Sequence, residues 1–222
     1  YPVSEEESLS KGVYVRYEHG RIHYTDDYGA VAVKDDVIAA WERKNWEHGF
    51  GYPVSAEVDI HDADGKVIGQ SQTFEAGTMF RNGAIGEVRS VQGLIGDRYL
   101  ELGGPNSVLG FPIRDEETID DPRGAYSAFE NGRMYYSDNS GTHFLLNGPL
   151  AAAWEDEGYE HADGRGYPTS DEGVNDDGSR SATFQRGSIT GDAGGHVTVT
   201  RTGADVAAGA DVEDPGVAGE AA

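Results

Sequence analysis

Leu109-Gly110-Phe111-Pro112-Ile113-Arg114-Asp115-Glu116 decides the reading of the fold, because the chain contains it more than once. The segment recurs as Tyr1-Pro2-Val3-Ser4-Glu5-Glu6, as Gly51-Tyr52-Pro53-Val54-Ser55-Ala56-Glu57 and as Gly166-Tyr167-Pro168-Thr169-Ser170-Asp171-Glu172, so the prolines stand 51, 59 and 56 residues apart. Moving outward, a second landmark keeps the same beat: Tyr17-Glu18-His19-Gly20, Phe74-Glu75-Ala76-Gly77, Phe129-Glu130-Asn131-Gly132 and Phe184-Gln185-Arg186-Gly187. A third, an apolar stretch ending in an aromatic, follows the first three: Val37 to Trp41, Leu94 to Tyr99 and Pro149 to Trp154. Three landmarks in one order at one period identify a tandem array. Its repeats are about 1–50, 51–109, 110–165 and an incomplete 166–200, and the Ala/Gly/Asp-rich residues 203–222 read as a flexible tail.

The local chemistry of each landmark predicts its shape. Asn131-Gly132 between two apolar runs is a hairpin signal of the type I′ kind. With those two residues as the turn, Phe129 faces Met134, and alternation puts Phe129, Met134 and Tyr136 on one face and Tyr135 on the other. The large apolar pair recurs in every copy, so that face is expected to be core, together with Tyr24 and Tyr136. Pro149, Ala151-Ala152-Ala153 and Gly158 favour a short helix that starts at the proline and stops at the glycine. The predicted fold class is α+β: tandem repeats of a β-hairpin plus a short helix, packed as one pseudo-symmetric repeat domain. One such unit is too small to bury its own apolar side, so several must pack together.

Composition narrows the functions. Forty acidic against 17 basic residues give a formal net charge of −23, which repels nucleic acid and anionic membrane surfaces while leaving neutral glycans, polycations and metal ions as partners. Only four of the basic residues are Lys. There is no Cys, so disulfides, thiolate-bound zinc and thiol catalysis are excluded. No run approaches 18 apolar residues, which argues against membrane insertion, and the first residues lack signal-peptide character, as expected of a fragment or mature form.

Candidate site residues were sought at positions the repeat singles out. Glu6, Glu57, Glu116 and Glu172 each lie four residues after a motif proline. Carboxylates there either accept backbone N–H groups of a turn or bind sugar hydroxyls or a cation. On the hairpin face opposite the Phe/Met pair stand His23, Phe80 and Tyr135, which either stack on sugar rings or pack on a neighbouring repeat. Trp41 and Trp154 read as core. Asp59 to Gly65, Asp120-Asp121-Pro122 and Asn175 to Gly178 hint at calcium, but the first has Ile60 where an EF-hand requires an oxygen ligand and Ser71 where it requires a closing Glu, so polar turns account for them better. No metal or cofactor is expected. Neither a G-x-S-x-G elbow nor a phosphate loop is present.

The literal Leu109-Gly110-Phe111-Pro112, the Glu four positions after each Pro, the Phe-x-x-Gly hairpin, Gly141-Thr142-His143 and the Trp-ending helix together resemble the LGFP repeat family over nearly all of residues 1–200. The second copy has no Trp and carries a longer loop at 57–73. The resemblance implies an extracellular, cell-envelope location and a non-catalytic role: binding wall polysaccharide, arabinogalactan or peptidoglycan, and anchoring an attached protein, which can be a catalytic domain of the parent. Two alternatives stand beside it, a part of an envelope hydrolase or acyltransferase and a structural surface or virion scaffold.

Overall fold

The computed structural model describes residues 1–120, 123–161 and 164–202; the predicted tail and Asp121-Pro122 lie outside the described residues. Each repeat is a four-stranded antiparallel meander rather than a hairpin. The first contains β1 (Glu7–Ser8), β2 (Gly12–Tyr17), β3 (Gly20–Thr25) and β4 (Gly29–Lys34), followed by α1 (Asp35–Arg43) and the one-turn α2 (Trp46–Gly49). The second contains β5 (Val58–His61), β6 (Val67–Phe74), β7 (Gly77–Asn82) and β8 (Val88–Gln92), then α3 (Gly93–Glu101). The third contains β9 (Glu117–Asp120), β10 (Arg123–Phe129), β11 (Gly132–Ser137) and β12 (Gly141–Leu146), then α4 (Pro149–Asp156). The fourth repeat forms a full sheet of β13 (Gly173–Val174), β14 (Arg180–Phe184), β15 (Gly187–Gly191) and β16 (Val197–Arg201). The predicted hairpins are the two central strands of each sheet, and Gly141-Thr142-His143 opens β12.

The hairpin turn is centred one residue earlier than expected. Phe129 pairs with Gly132, Ser127 with Met134 and Tyr126 with Tyr135, so Glu130 and Asn131 form the turn. Neither has positive φ, so it is not type I′. The glycine is required instead by crowding: a Cβ on Gly132 would lie 2.4 Å from the Leu145 carbonyl oxygen of the next strand. Because the whole turn moves as a unit, every residue keeps its predicted face.

What sequence reasoning missed is that both faces of the sheet are covered. Each helix packs on its own sheet through the face opposite the Phe/Met pair and on the following sheet through the Phe/Met face itself. Trp41 meets His23 of its own sheet edge-on at 4.9 Å and Phe74 of the next at 5.3 Å. Tyr99 repeats this with Phe80 at 5.4 Å and Phe129 at 4.5 Å, and Trp154 with Tyr135 at 4.8 Å and Phe184 at 5.6 Å. Trp41, Tyr99 and Trp154 are thus the centres of three successive cores.

The same three side chains also fasten each repeat to the next motif. Trp41 Nε1 donates to the Gly51 carbonyl at 3.1 Å, Tyr99 Oη to Gly110 at 2.7 Å and Trp154 Nε1 to Gly166 at 3.1 Å. Tyr99 therefore replaces the missing Trp in function, its phenol reaching the acceptor that indole reaches elsewhere. Within the motif, Glu75, Glu130 and Gln185 accept the N–H of Tyr52, Phe111 and Tyr167, and the motif prolines bridge to the hairpin aromatics. The preceding glycines have φ of 79°, 72° and 74°, and a Cβ there would fall within 2.5 Å of those same Glu or Gln side chains. Conformation and space both demand glycine at these positions.

The ends of the array differ. The first sheet has no preceding helix on its Phe/Met-type face, leaving Tyr24 47% and Ile22 37% exposed; the expectation that Tyr24 is core is corrected for this reason. On the fourth sheet, the face that would receive a following helix is made of Ser181, Thr183, Ser188, Thr190, Thr198 and Thr200. A hydroxyl-bearing face of this kind can stay in water without a helix over it.

Candidate functional site

The aromatic candidates His23, Phe80 and Tyr135 occupy equivalent fourth positions of the hairpin's second strand. They are 2%, 3% and 6% exposed, so of the two roles offered for them sugar stacking is corrected: the following helix covers them, and no ring face is free to stack a sugar. Both ring nitrogens of His23 are buried without a hydrogen-bond partner, between Tyr14 stacked at 5.3 Å and Trp41. Burial, with a smaller contribution from Arg21, lowers its pKa to about 4. Burial pushes Tyr135 up to about 12.

The recurrent glutamates lie at the seams between sheets. Glu57 forms ion pairs with Lys34, at the end of the first sheet, and with Arg81 at 3.2 Å, and Arg81 continues to Asp36 of α1 at 2.5 Å. Glu172 accepts the Leu146 N–H of the third sheet at 2.9 Å and pairs with Arg180 at 2.6 Å. One residue earlier, Asp115 and Asp171 accept the N–H groups of Ser90 and Phe144, equivalent positions on the preceding sheets. Glu6, in the first repeat, is exposed. Glu116 differs from all of these: it is partly buried, and among the described residues its carboxylate has neither hydrogen bond nor ion pair. Desolvation raises its pKa, opposed by the charge of Lys44.

Two kinds of concavity surround these seams. The first recurs: where a hairpin tip meets the start of the helix of the same repeat, a groove of about 340 Å³ in repeat two is lined by Thr78, Gln92, Gly96, Asp97 and Leu100 among others, and one of about 220 Å³ in repeat three by Arg133, Tyr135, Asn147, Ala151, Glu155 and Tyr159. In repeat three Arg133 lies beside Tyr159, five residues beyond Trp154, and in repeat one Arg21 lies 4.7 Å over Trp46, five residues beyond Trp41. Repeat two carries Thr78 and Gly104 at these places, and its groove is the wider one. Trp46 and Tyr159 were not singled out from sequence, although an aromatic five residues after the helix aromatic in two copies was a readable signal. The second concavity, about 320 Å³, lies at the seam between repeats two and three and is lined by Gly93 to Ile95, Glu116, Thr118, Arg123 to Ala125, Tyr136 and Asp138. Tyr136, expected in the core, is half-buried here, and its hydroxyl donates to Asp138 at 2.6 Å.

The Asp-rich segments at 59–65 and 175–178 are self-contained turns. Asp62 Oδ1 accepts the N–H groups of Asp64 and Lys66, and Asp177 Oδ1 accepts both the backbone N–H and the hydroxyl of Ser179. Among the described residues no group of three or more His, Asp or Glu side chains is arranged to hold a metal ion. None of the described helices is long and apolar enough to cross a membrane.

The LGFP repeat family model matches three times, at residues 1–49, 50–107 and 109–161, which correspond to the first three sheet-and-helix units. The chain belongs to the LGFP repeat family. No curated relative matches at a significant level. Among solved structures, LGFP-repeat residues align at 11% identity with virginiamycin B lyase from Staphylococcus aureus (89% of this chain, 54% of that one, TM-score 0.19). They align at 11% with the extracellular domain of BT4673 from B. thetaiotaomicron (90% and 31%, TM-score 0.21) and at 10% with the hemopexin fold protein CP4 from cow pea (88% and 89%, TM-score 0.22). The chain thus spans about half of the first and a third of the second, and likenesses this distant carry no argument about the LGFP fold or its activity.

Proposed function

We propose that this LGFP array is a non-catalytic cell-wall-binding module that holds an envelope polysaccharide, arabinogalactan or peptidoglycan, and so anchors an attached protein at the cell surface. The observation that carries the reading is the repetition of one groove, between hairpin tip and helix, in repeats two and three. A polymer with a repeating structure can engage equivalent sites in register, and linked weak sites produce a firm hold without any deep pocket. The groove walls combine amide, hydroxyl and carboxylate groups with apolar surface, as sugar rings require. A net charge of −23 favours a neutral glycan over a phosphate-rich one.

The test is sedimentation of the purified chain with insoluble wall: intact, stripped of arabinogalactan, or reduced to peptidoglycan, each at physiological and at high salt. Salt-resistant co-sedimentation with at least one preparation, weakened partially by Asp97→Ala in repeat two and by Asn147→Ala in repeat three, is the expected result. Failure to bind all three preparations overturns the reading.

A further inference from the structure

The seam between repeats two and three carries a cleft beside its recurrent carboxylate, and that carboxylate can be compared with its sisters residue by residue. At the first seam, the recurrent carboxylate, Glu57, is compensated by the Lys34 ammonium and the Arg81 guanidinium. At the third, Glu172 is compensated by Arg180. At the second seam the position of Lys34 is taken by Gln92, that of Arg81 by Tyr136 and that of Arg180 by Ala125. None of these three cations is kept while Glu116 is, and the positive charges that remain nearby, Lys44 and the cleft-lining Arg123, form no ion pair with it among the described residues. Beside Glu116 lies the cleft of about 320 Å³, with Ala125 and Tyr136 in its walls.

A partly desolvated carboxylate without a partner is costly, and its sister positions show which partner the site accommodates: a cationic nitrogen with N–H groups to donate. We propose that the cleft at the second seam is a binding site for a ligand bearing a primary ammonium group, which takes the place of Lys34 and Arg81 on Glu116. The methylene carbons next to the ammonium lie against Leu94 and Ile95 at the start of α3, which also lines the cleft. Asp138 adds a second negative group, already accepting the Tyr136 hydroxyl, and the exposed Arg123, which also lines the cleft, disfavours a bulky polycation. The ligand class is therefore a small alkylammonium, and this inference does not depend on the identity of the wall polymer.

The test uses the full chain and propylammonium as the probe, with tetramethylammonium, which has no N–H, as the control, followed by backbone amide and side-chain carboxyl NMR. Saturable shifts at Glu116, Thr118 and Ala125 with propylammonium, absent with tetramethylammonium and weakened about tenfold or more in Glu116→Gln, are expected for a charge-assisted hydrogen bond. A second variant, Tyr136→Arg, restores the guanidinium found at the first seam; it should abolish propylammonium binding while leaving the fold intact. Shifts that do not saturate, that spread over the acidic surface, that appear equally with tetramethylammonium, or that persist in Tyr136→Arg would overturn the proposal.

Discussion

Replacing His23 by Phe should remove an acid-sensitive defect from the first repeat. His23 is 2% exposed, its two ring nitrogens have no partners, and the equivalent positions of repeats two and three hold Phe80 and Tyr135, so an aromatic hydrocarbon ring fits the site. The folded-state pKa is about 4, against 6.5 in the unfolded chain. Between these values the unfolded chain binds more protons than the folded one. Stability contributed by neutral His23 is therefore fully present above about pH 6.5 and is lost progressively as the pH falls towards 4. At pH 4.5 the linkage amounts to about 2.5 kcal/mol, from 1.36 kcal/mol per pKa unit with allowance for partial protonation of the folded form. His23→Phe should thus be more stable than the parent by about 1 kcal/mol near pH 7.5, from loss of the unpaired nitrogens, and by roughly 3 kcal/mol or more at pH 4.5. Urea unfolding of both proteins at the two pH values, with tryptophan fluorescence reporting on Trp41 beside the substituted ring, measures the difference directly. An advantage that is the same at both pH values would refute the argument, because it would mean that His23 titrates equally in the folded and unfolded states.

Two further expectations concern the seams. Tyr99→Phe keeps the ring between Phe80 and Phe129 but leaves the Gly110 carbonyl without its 2.7 Å donor; the cost should be about 1–3 kcal/mol in urea unfolding, and an unchanged midpoint would show that the bond contributes nothing. Met134→Ala and Ile22→Ala truncate equivalent positions on the third and first sheets. The former, fully buried under α3, should cost about 2–5 kcal/mol, and the latter, on the uncovered face, should cost below about 1 kcal/mol. Equal losses in thermal unfolding would mean that the first sheet's face is covered in solution.

Much of the candidate site was legible because repetition marks positions. The recurrence of Glu four residues after each proline drew attention to Glu116, and internal comparison then showed that it differs from Glu57 and Glu172. Sequence alone could not show that difference, because Lys34, Arg81 and Arg180 lie 23, 24 and 8 residues from the carboxylates they compensate, at positions brought together only by sheet register and by the stacking of sheets. The sugar-stacking alternative for His23, Phe80 and Tyr135 failed for a related reason. Alternation along a strand says which residues share a face; it does not say how many faces are buried.

The sequence by itself determined the repeat period, the aromatic-ended helices, the glycine-bearing turns and the two faces of each hairpin, since these depend on spacing and on local backbone preference within a few residues. Only the tertiary structure decided that each helix serves two sheets, that a phenol at Tyr99 can do what indole does at Trp41 and Trp154, and that Glu116 is left uncompensated. Each of those outcomes is a contact between neighbouring repeats, and such contacts are set by how one unit's side chains fill the space left by the next.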